Sequence, residues 1–148
     1  MVEFPGLVPR HAEALVVEAL ADTRVVLVNG ARQAGKSTLT RLTAGRRPDA
    51  IIRLLDDPAT LQSAKDDPTD FVDHDGLMII DEIQLAPELL RPIKVEVDLN
   101  PTPGRFLLTG SSRVLALRTL PDALPGRMEV IELWPFSQES SPASLTGS

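Results

Sequence analysis

A chain of 148 residues, 43% hydrophobic and 24% charged, is long enough for one domain with a single buried core. No apolar run approaches the roughly eighteen residues that span a bilayer, and the absence of cysteine excludes disulfides and thiolate chemistry. A net charge of −6, with only four Phe and one Trp available to stack on bases, argues against autonomous binding of DNA or RNA.

The N-terminal MVEFPGLVPRHAE has no charged head followed by an apolar stretch and a small-residue cleavage site. It does not read as a secretory signal, and the expected compartment is the cytoplasm. Charge is uneven along the chain: residues 1–48 carry seven Lys or Arg against four Asp or Glu, and residues 49–82 carry two against ten.

Ala12, Leu15, Val16, Ala19 and Leu20 recur at helical spacing, which predicts an amphipathic helix of about three turns. Arg24 to Asn29 is a β-branched run ending at Gly30 and reads as a strand buried on both faces. Lys36 to Ala44 has good helix formers and is expected to stop at Gly45. Ile51 to Leu55 is a second strand ending in Asp56-Asp57-Pro58, followed by one polar helix or two short ones interrupted at Pro68. Leu77 to Ile80 is a third strand, ending in Asp81-Glu82. Leu89, Leu90, Ile93 and Val97 form a helical stripe in which Pro92 obscures where regular helix begins. Phe106 to Leu108 is a fourth strand closing on Thr109-Gly110, Val114 to Leu120 a short helix, and Met128 to Leu133 a fifth strand. The alternation implies a mostly parallel sheet with helices on both faces. The last stretch, SQESSPASLTGS, has the composition of a disordered tail.

Between the first strand and its helix lies GARQAGKS, Gly30 to Ser37. Glycines at both ends allow a tight turn whose amides face an anion, and the helix behind it presents its positive end. In this pattern Lys36 supplies charge to the β and γ phosphates and the Ser37 hydroxyl ligates Mg²⁺. The loop residues Gly30, Ala31, Arg32, Gln33, Ala34, Gly35, Lys36, Ser37 and Thr38 are the expected nucleotide-binding set.

A bound Mg·ATP also needs a carboxylate at the carboxyl end of a neighbouring strand. Asp81 meets that need and would hold the Mg²⁺ shell, while Glu82 could orient and deprotonate an attacking water. Thr109 could bond the γ-phosphate or the water, and it is equally ordinary turn chemistry. Arg113 and Arg127 could neutralise charge on the transferring phosphoryl group, in cis or from a neighbouring subunit, or be solvated surface arginines. Asp56 and Asp57 could face the site, or simply start a helix before Pro58.

The segments GARQAGKSTL, LLDDP, LMIIDEIQLAPELLRPIK, GRFLLTGSSR and LPGRMEVIELWPFS together resemble the AAA-like P-loop ATPases of bacteria and archaea whose ATPase domain is followed by a C-terminal domain of unknown function. The resemblance covers nearly the whole chain, to Phe136. It implies an ATPase domain over residues 1–136 with a tail at 137–148, and a five-stranded α/β/α sandwich with strand order 5-1-4-3-2. It also implies ATP and Mg²⁺ as ligands, and favours Thr109 as a sensor and Arg127 as the better arginine. Ala31 stands where the family often has proline.

Family members continue into a second domain, and only twelve residues follow Phe136 here. The expectation is therefore an ATP-binding protein with Mg²⁺-dependent hydrolysis, assembling, if at all, as a homo-oligomer. The competing reading is a nucleotide-binding remnant or interaction module without significant turnover. A kinase would need an arginine-rich lid, and a GTPase an Asn-Lys-x-Asp segment; neither pattern is present.

Overall fold

Strand β1 (Val25–Gly30) is buried along its whole length at the interior of a five-stranded sheet. The computed structural model describes residues 3–30, 35–111 and 128–133, with residues 3–11 by their backbone only. The other strands are β2 (Ile51–Leu54), β3 (Met78–Asp81), β4 (Phe106–Gly110) and β5 (Met128–Leu133). Their order is β2-β3-β4-β1-β5, with every pairing parallel. This is the expected P-loop sandwich sheet, read from its other edge.

Alternation along the strands sorts side chains to two faces. On one face Val25, Leu27, Met78, Ile80, Phe106 and Leu108 form a core with residues of α3 (Pro58–Asp66), α4 (Pro68–Phe71) and α5 (Leu90–Leu99). On the other, Val26, Val28, Ile79 and Leu107 meet α1 (Glu3–Asp22) and α2 (Lys36–Arg46) through Val16, Leu20 and Leu39. Each fully buried Val, Leu, Ile or Phe contributes about 1.5–3 kcal/mol of transfer free energy. The strands buried on both faces therefore hold the two layers together. The edges behave differently: β2 is only half-buried and β5 alternates.

Several boundaries differ from the sequence expectation. The first helix is already helical at Glu3, and Leu15 is 42% exposed although it shares the apolar spacing of Val16 and Ala19. Helix α2 runs through Gly45 to Arg46: one glycine costs a helix only about 0.5–1 kcal/mol relative to alanine, and the amide of Arg47 still finds Ala44 O. Pro68 does divide the polar segment into two helices, each started by an aspartate that accepts a backbone amide: Asp57 from Thr60 and Asp67 from Asp70. Pro92 sits in the first turn of α5, where no intrahelical N–H is required. Two 3-10 turns, Ile83–Leu85 and Pro87–Leu89, precede that helix. The predicted helix at 114–120 and the tail at 137–148 lie outside the described residues.

Candidate functional site

Parallel strands point their carboxyl ends the same way, so Gly30, Asp81 and Thr109 reach one edge of the sheet. Asp81 is the last residue of β3, and Thr109 lies within β4 rather than after it. Alternation from Ile79 and Leu107 puts both on the α2 face. Gly35 caps α2 with φ 87° and ψ 20°, a left-handed backbone that glycine adopts without steric cost, and Lys36 starts the helix. Among the described residues, the loop thus contributes Gly30, Gly35, Lys36, Ser37 and Thr38. Ala31, Arg32, Gln33 and Ala34 lie outside them, as do Arg113 and Arg127.

Three separated segments meet in a short chain of contacts. The Thr109 hydroxyl donates to Asp81 Oδ1 at 2.6 Å and accepts the Glu82 backbone N–H at 3.0 Å. Lys36 Nζ faces Glu82 Oε2 at 3.5 Å, an ion pair without a hydrogen bond, and the ammonium has no hydrogen-bond partner although Lys36 is only 4% exposed. Glu82 Oε1 accepts from Gln84 Nε2 at 2.7 Å. The Glu82 backbone is left-handed, φ 61° and ψ 55°, which a side chain rarely adopts without compensation.

Burial pushes the Asp81 carboxyl above its ordinary value, and the Thr109 hydrogen bond opposes that push. The neighbouring charges divide likewise: Glu82 and Asp56 raise it and Lys36 lowers it. Asp57, beside Asp56, accepts the capping bonds from Thr60 N–H and Oγ1–H.

The donor set suits Mg·nucleotide. A buried ammonium lacking a hydrogen bond can be satisfied by phosphate oxygens, and the second oxygen of Asp81 together with the Ser37 hydroxyl are hard ligands of the kind Mg²⁺ takes. No cluster of three or more His, Asp or Glu that could hold a metal by itself occurs among the described residues. No helix among the described residues is long and apolar enough to cross a membrane.

Sequence reasoning missed two polar residues at this edge. Gln84 lies within the DEIQ segment, and only the turn at Glu82 brings its amide back onto the carboxylate. Asn29, next to Gly30, is buried with its Oδ1 unpartnered; a polar residue closing an otherwise apolar strand was the available signal.

A family model described as an AAA domain matches residues 22–141. Two uncharacterised proteins, from Mycobacterium bovis and Mycobacterium tuberculosis, are each 36% identical over 124 residues, covering 84% of this chain. The chain spans 28% of the length of these curated relatives. Among solved structures, the Walker-type ATPase of Pyrococcus abyssi is similar with a TM-score of 0.57 and 18% identity, over 93% of this chain and 56% of that one. A DNA replication initiation factor is similar with a TM-score of 0.58 and 18% identity, over 85% and 46%. At these identities the likeness of the solved structures is one of fold.

Proposed function

We propose that this chain, which belongs to the AAA domain family, binds ATP with Mg²⁺ and hydrolyses it to ADP and phosphate. The observation that carries the reading is the convergence of Lys36, Asp81, Glu82 and Thr109, drawn from three segments, at one edge of a parallel sheet.

Residues Gly30 to Thr38 would hold the phosphates, with Lys36 on the β and γ groups. Ser37 and Asp81 would hold Mg²⁺, which when bound would neutralise phosphate charge. Thr109 fixes both neighbours at once, since its hydroxyl spans the Asp81 carboxylate and the Glu82 amide. Glu82 is the proposed base. The water oxygen bonds to the γ-phosphorus, the bond from that phosphorus to the β–γ bridging oxygen breaks, ADP leaves with the electron pair, and Glu82 takes the proton from water.

Glu82 faces Lys36. An incoming phosphate offers Lys36 a stronger partner and frees that carboxylate oxygen for water. Arg127 is kept as the arginine that would stabilise the transferring group, in this chain or across a homo-oligomer. Residues 1–136 form the proposed ATPase domain of a cytoplasmic protein. The chain matches only part of its longer relatives, and the work driven by turnover would be done through the remainder of such a protein.

The test is phosphate release by wild type and Glu82→Gln, with nucleotide affinity measured in parallel. Turnover above the Glu82→Gln background supports hydrolysis. No phosphate release by wild type above a protein-free blank, with binding retained, favours a nucleotide-binding module without turnover.

A further inference from the structure

We propose that Gln84 is a positioning residue for Glu82: its side-chain amide holds one carboxylate oxygen so that the other is presented to water once Lys36 has moved to phosphate. The inference rests on the ATPase reading and deepens it.

Glu82 is the sole non-glycine residue with positive φ among the described residues. That turn reverses the chain at the sheet edge, and the 3-10 turn behind it is closed by Leu85 N–H to Glu82 O at 3.0 Å and Ala86 N–H to Ile83 O at 3.0 Å. Ile83 and Ala86, on either side of Gln84, are fully buried in the core. Gln84 is therefore carried on a fixed piece of backbone, and its Nε2 lies 2.7 Å from Glu82 Oε1.

The chemistry of that contact sets its direction. A carboxylate only accepts, so the amide must turn its NH₂ toward Glu82 and its carbonyl away. Gln84 Oε1 is then buried with no hydrogen-bond partner. An amide serving only to fill the fold would ordinarily satisfy both ends; here the orientation is dictated by Glu82. The two holds on the carboxylate are also unequal. Gln84 makes a short hydrogen bond, whereas Lys36 faces the other oxygen at 3.5 Å with no hydrogen bond. Phosphate entry draws off the weaker partner and leaves the stronger. Glu82 keeps one oxygen anchored and gains one free.

The experiment compares wild type, Gln84→Met, Gln84→Ala and Glu82→Gln, together with the Glu82→Gln/Gln84→Met double variant. Gln84→Met keeps side-chain length without a donor or a charge, so packing is separated from hydrogen bonding. The expected result is a fall in kcat of about tenfold or more in Gln84→Met, from loss of orientation at the base, with nucleotide Kd within about twofold of wild type and the melting temperature retained. In the Glu82→Gln background the same change should lower the rate no further, since a residue acting through Glu82 has nothing left to position.

Wild-type kcat in Gln84→Met overturns the proposal while leaving the ATPase reading in place. A parallel loss of nucleotide affinity and stability, or an additive loss in the double variant, also overturns it by showing a merely structural role. If Glu82→Gln itself turns over at the wild-type rate, Glu82 is not the base, and this proposal falls with that assignment while ATP hydrolysis stands.

Discussion

Thr109 donates its hydroxyl proton to Asp81 Oδ1 at 2.6 Å from a position with no solvent exposure. The same oxygen receives the Glu82 N–H, so one buried hydroxyl serves the proposed metal ligand and the proposed base. Replacement by valine keeps the shape of the side chain but leaves a carboxylate oxygen without its donor and a backbone N–H without its acceptor. Thr109→Val should lose about 1–3 kcal/mol of stability, read from urea denaturation. It should also slow phosphate release at least tenfold, because both partners lose their common anchor. Thr109→Ser restores the hydroxyl and should recover most of both losses. A valine variant with wild-type turnover would remove Thr109 from the site.

Lys36 supplies a second prediction through ligand linkage. A ligand that binds only the folded state stabilises it by about 2.7 kcal/mol at one hundred times its Kd. Mg·ATP should therefore raise the melting temperature of wild type. Lys36→Ala should show little or no rise at the same concentration, since the buried ammonium that lacks a hydrogen bond is the group phosphate would satisfy. An equal rise in both proteins would refute the phosphate cradle.

The parts of this site legible in the sequence were those encoded locally. The glycine loop between an apolar strand and a helix announces Lys36 and Ser37, and four apolar residues before Asp81-Glu82 announce a buried strand end. The order of the strands came through resemblance, because parallel pairing between Phe106 and both Val25 and Met78 leaves no local trace. Gln84 was illegible for a similar reason. Its role depends on a left-handed turn at Glu82, and nothing in the residue type glutamate predicts one. The exposure of Leu15 shows the limit of periodicity: a spacing that suits the core does not say how wide the covered face is. Gly45 shows the converse, a helix breaker that does not break a helix.

At the opposite end of the sheet, Asp49 predicts a pH dependence. Its carboxylate takes a two-pronged bond from Arg47, Nε at 3.0 Å and Nη2 at 2.9 Å, and accepts Leu77 N–H at 3.2 Å. The Arg47 hydrogen bond is the chief reason its pKa is lowered from 3.8, with burial opposing. A carboxyl whose folded pKa is depressed adds stability that is fully present above the unfolded value and lost as pH falls through the folded one. Asp49→Asn should therefore be less stable than wild type at neutral pH and should converge with it in acid, below 3.8. The side chain is 42% exposed, so solvent screening holds the difference to about 1 kcal/mol or less. Denaturant midpoints measured across the acid range decide this: a constant gap between the two proteins would show that ionisation of Asp49 is not what stabilises the fold.

Gly76 gives the sharpest test of the same junction, because a β-carbon there would lie 2.5 Å from Asp49 Oδ2 and 2.6 Å from Asp49 Cβ. The second contact matters more. A terminal oxygen can swing aside, but a β-carbon moves only with its backbone, and Asp49 lies just before β2 in the turn where Ala50 N–H bonds to Arg47 O at 3.1 Å. Gly76→Ala should therefore displace Asp49, break its bond from Leu77 N–H at the entrance to β3 and loosen the Arg47 fork, at a cost of about 1–3 kcal/mol. If the displaced Asp49 contacts are the cause, the loss should not add to that of Asp49→Asn. In the double variant the carboxylate interactions have already been weakened, so the added alanine should cost measurably less than it does alone. Strict additivity in urea denaturation would mean that the clash with the β-carbon at position 49, which asparagine retains, carries the cost rather than the loss of the carboxylate contacts. Nucleotide affinity provides the control: this junction lies at the strands' amino ends, away from Lys36 and Asp81, and binding of Mg·ATP by the folded variant should match wild type.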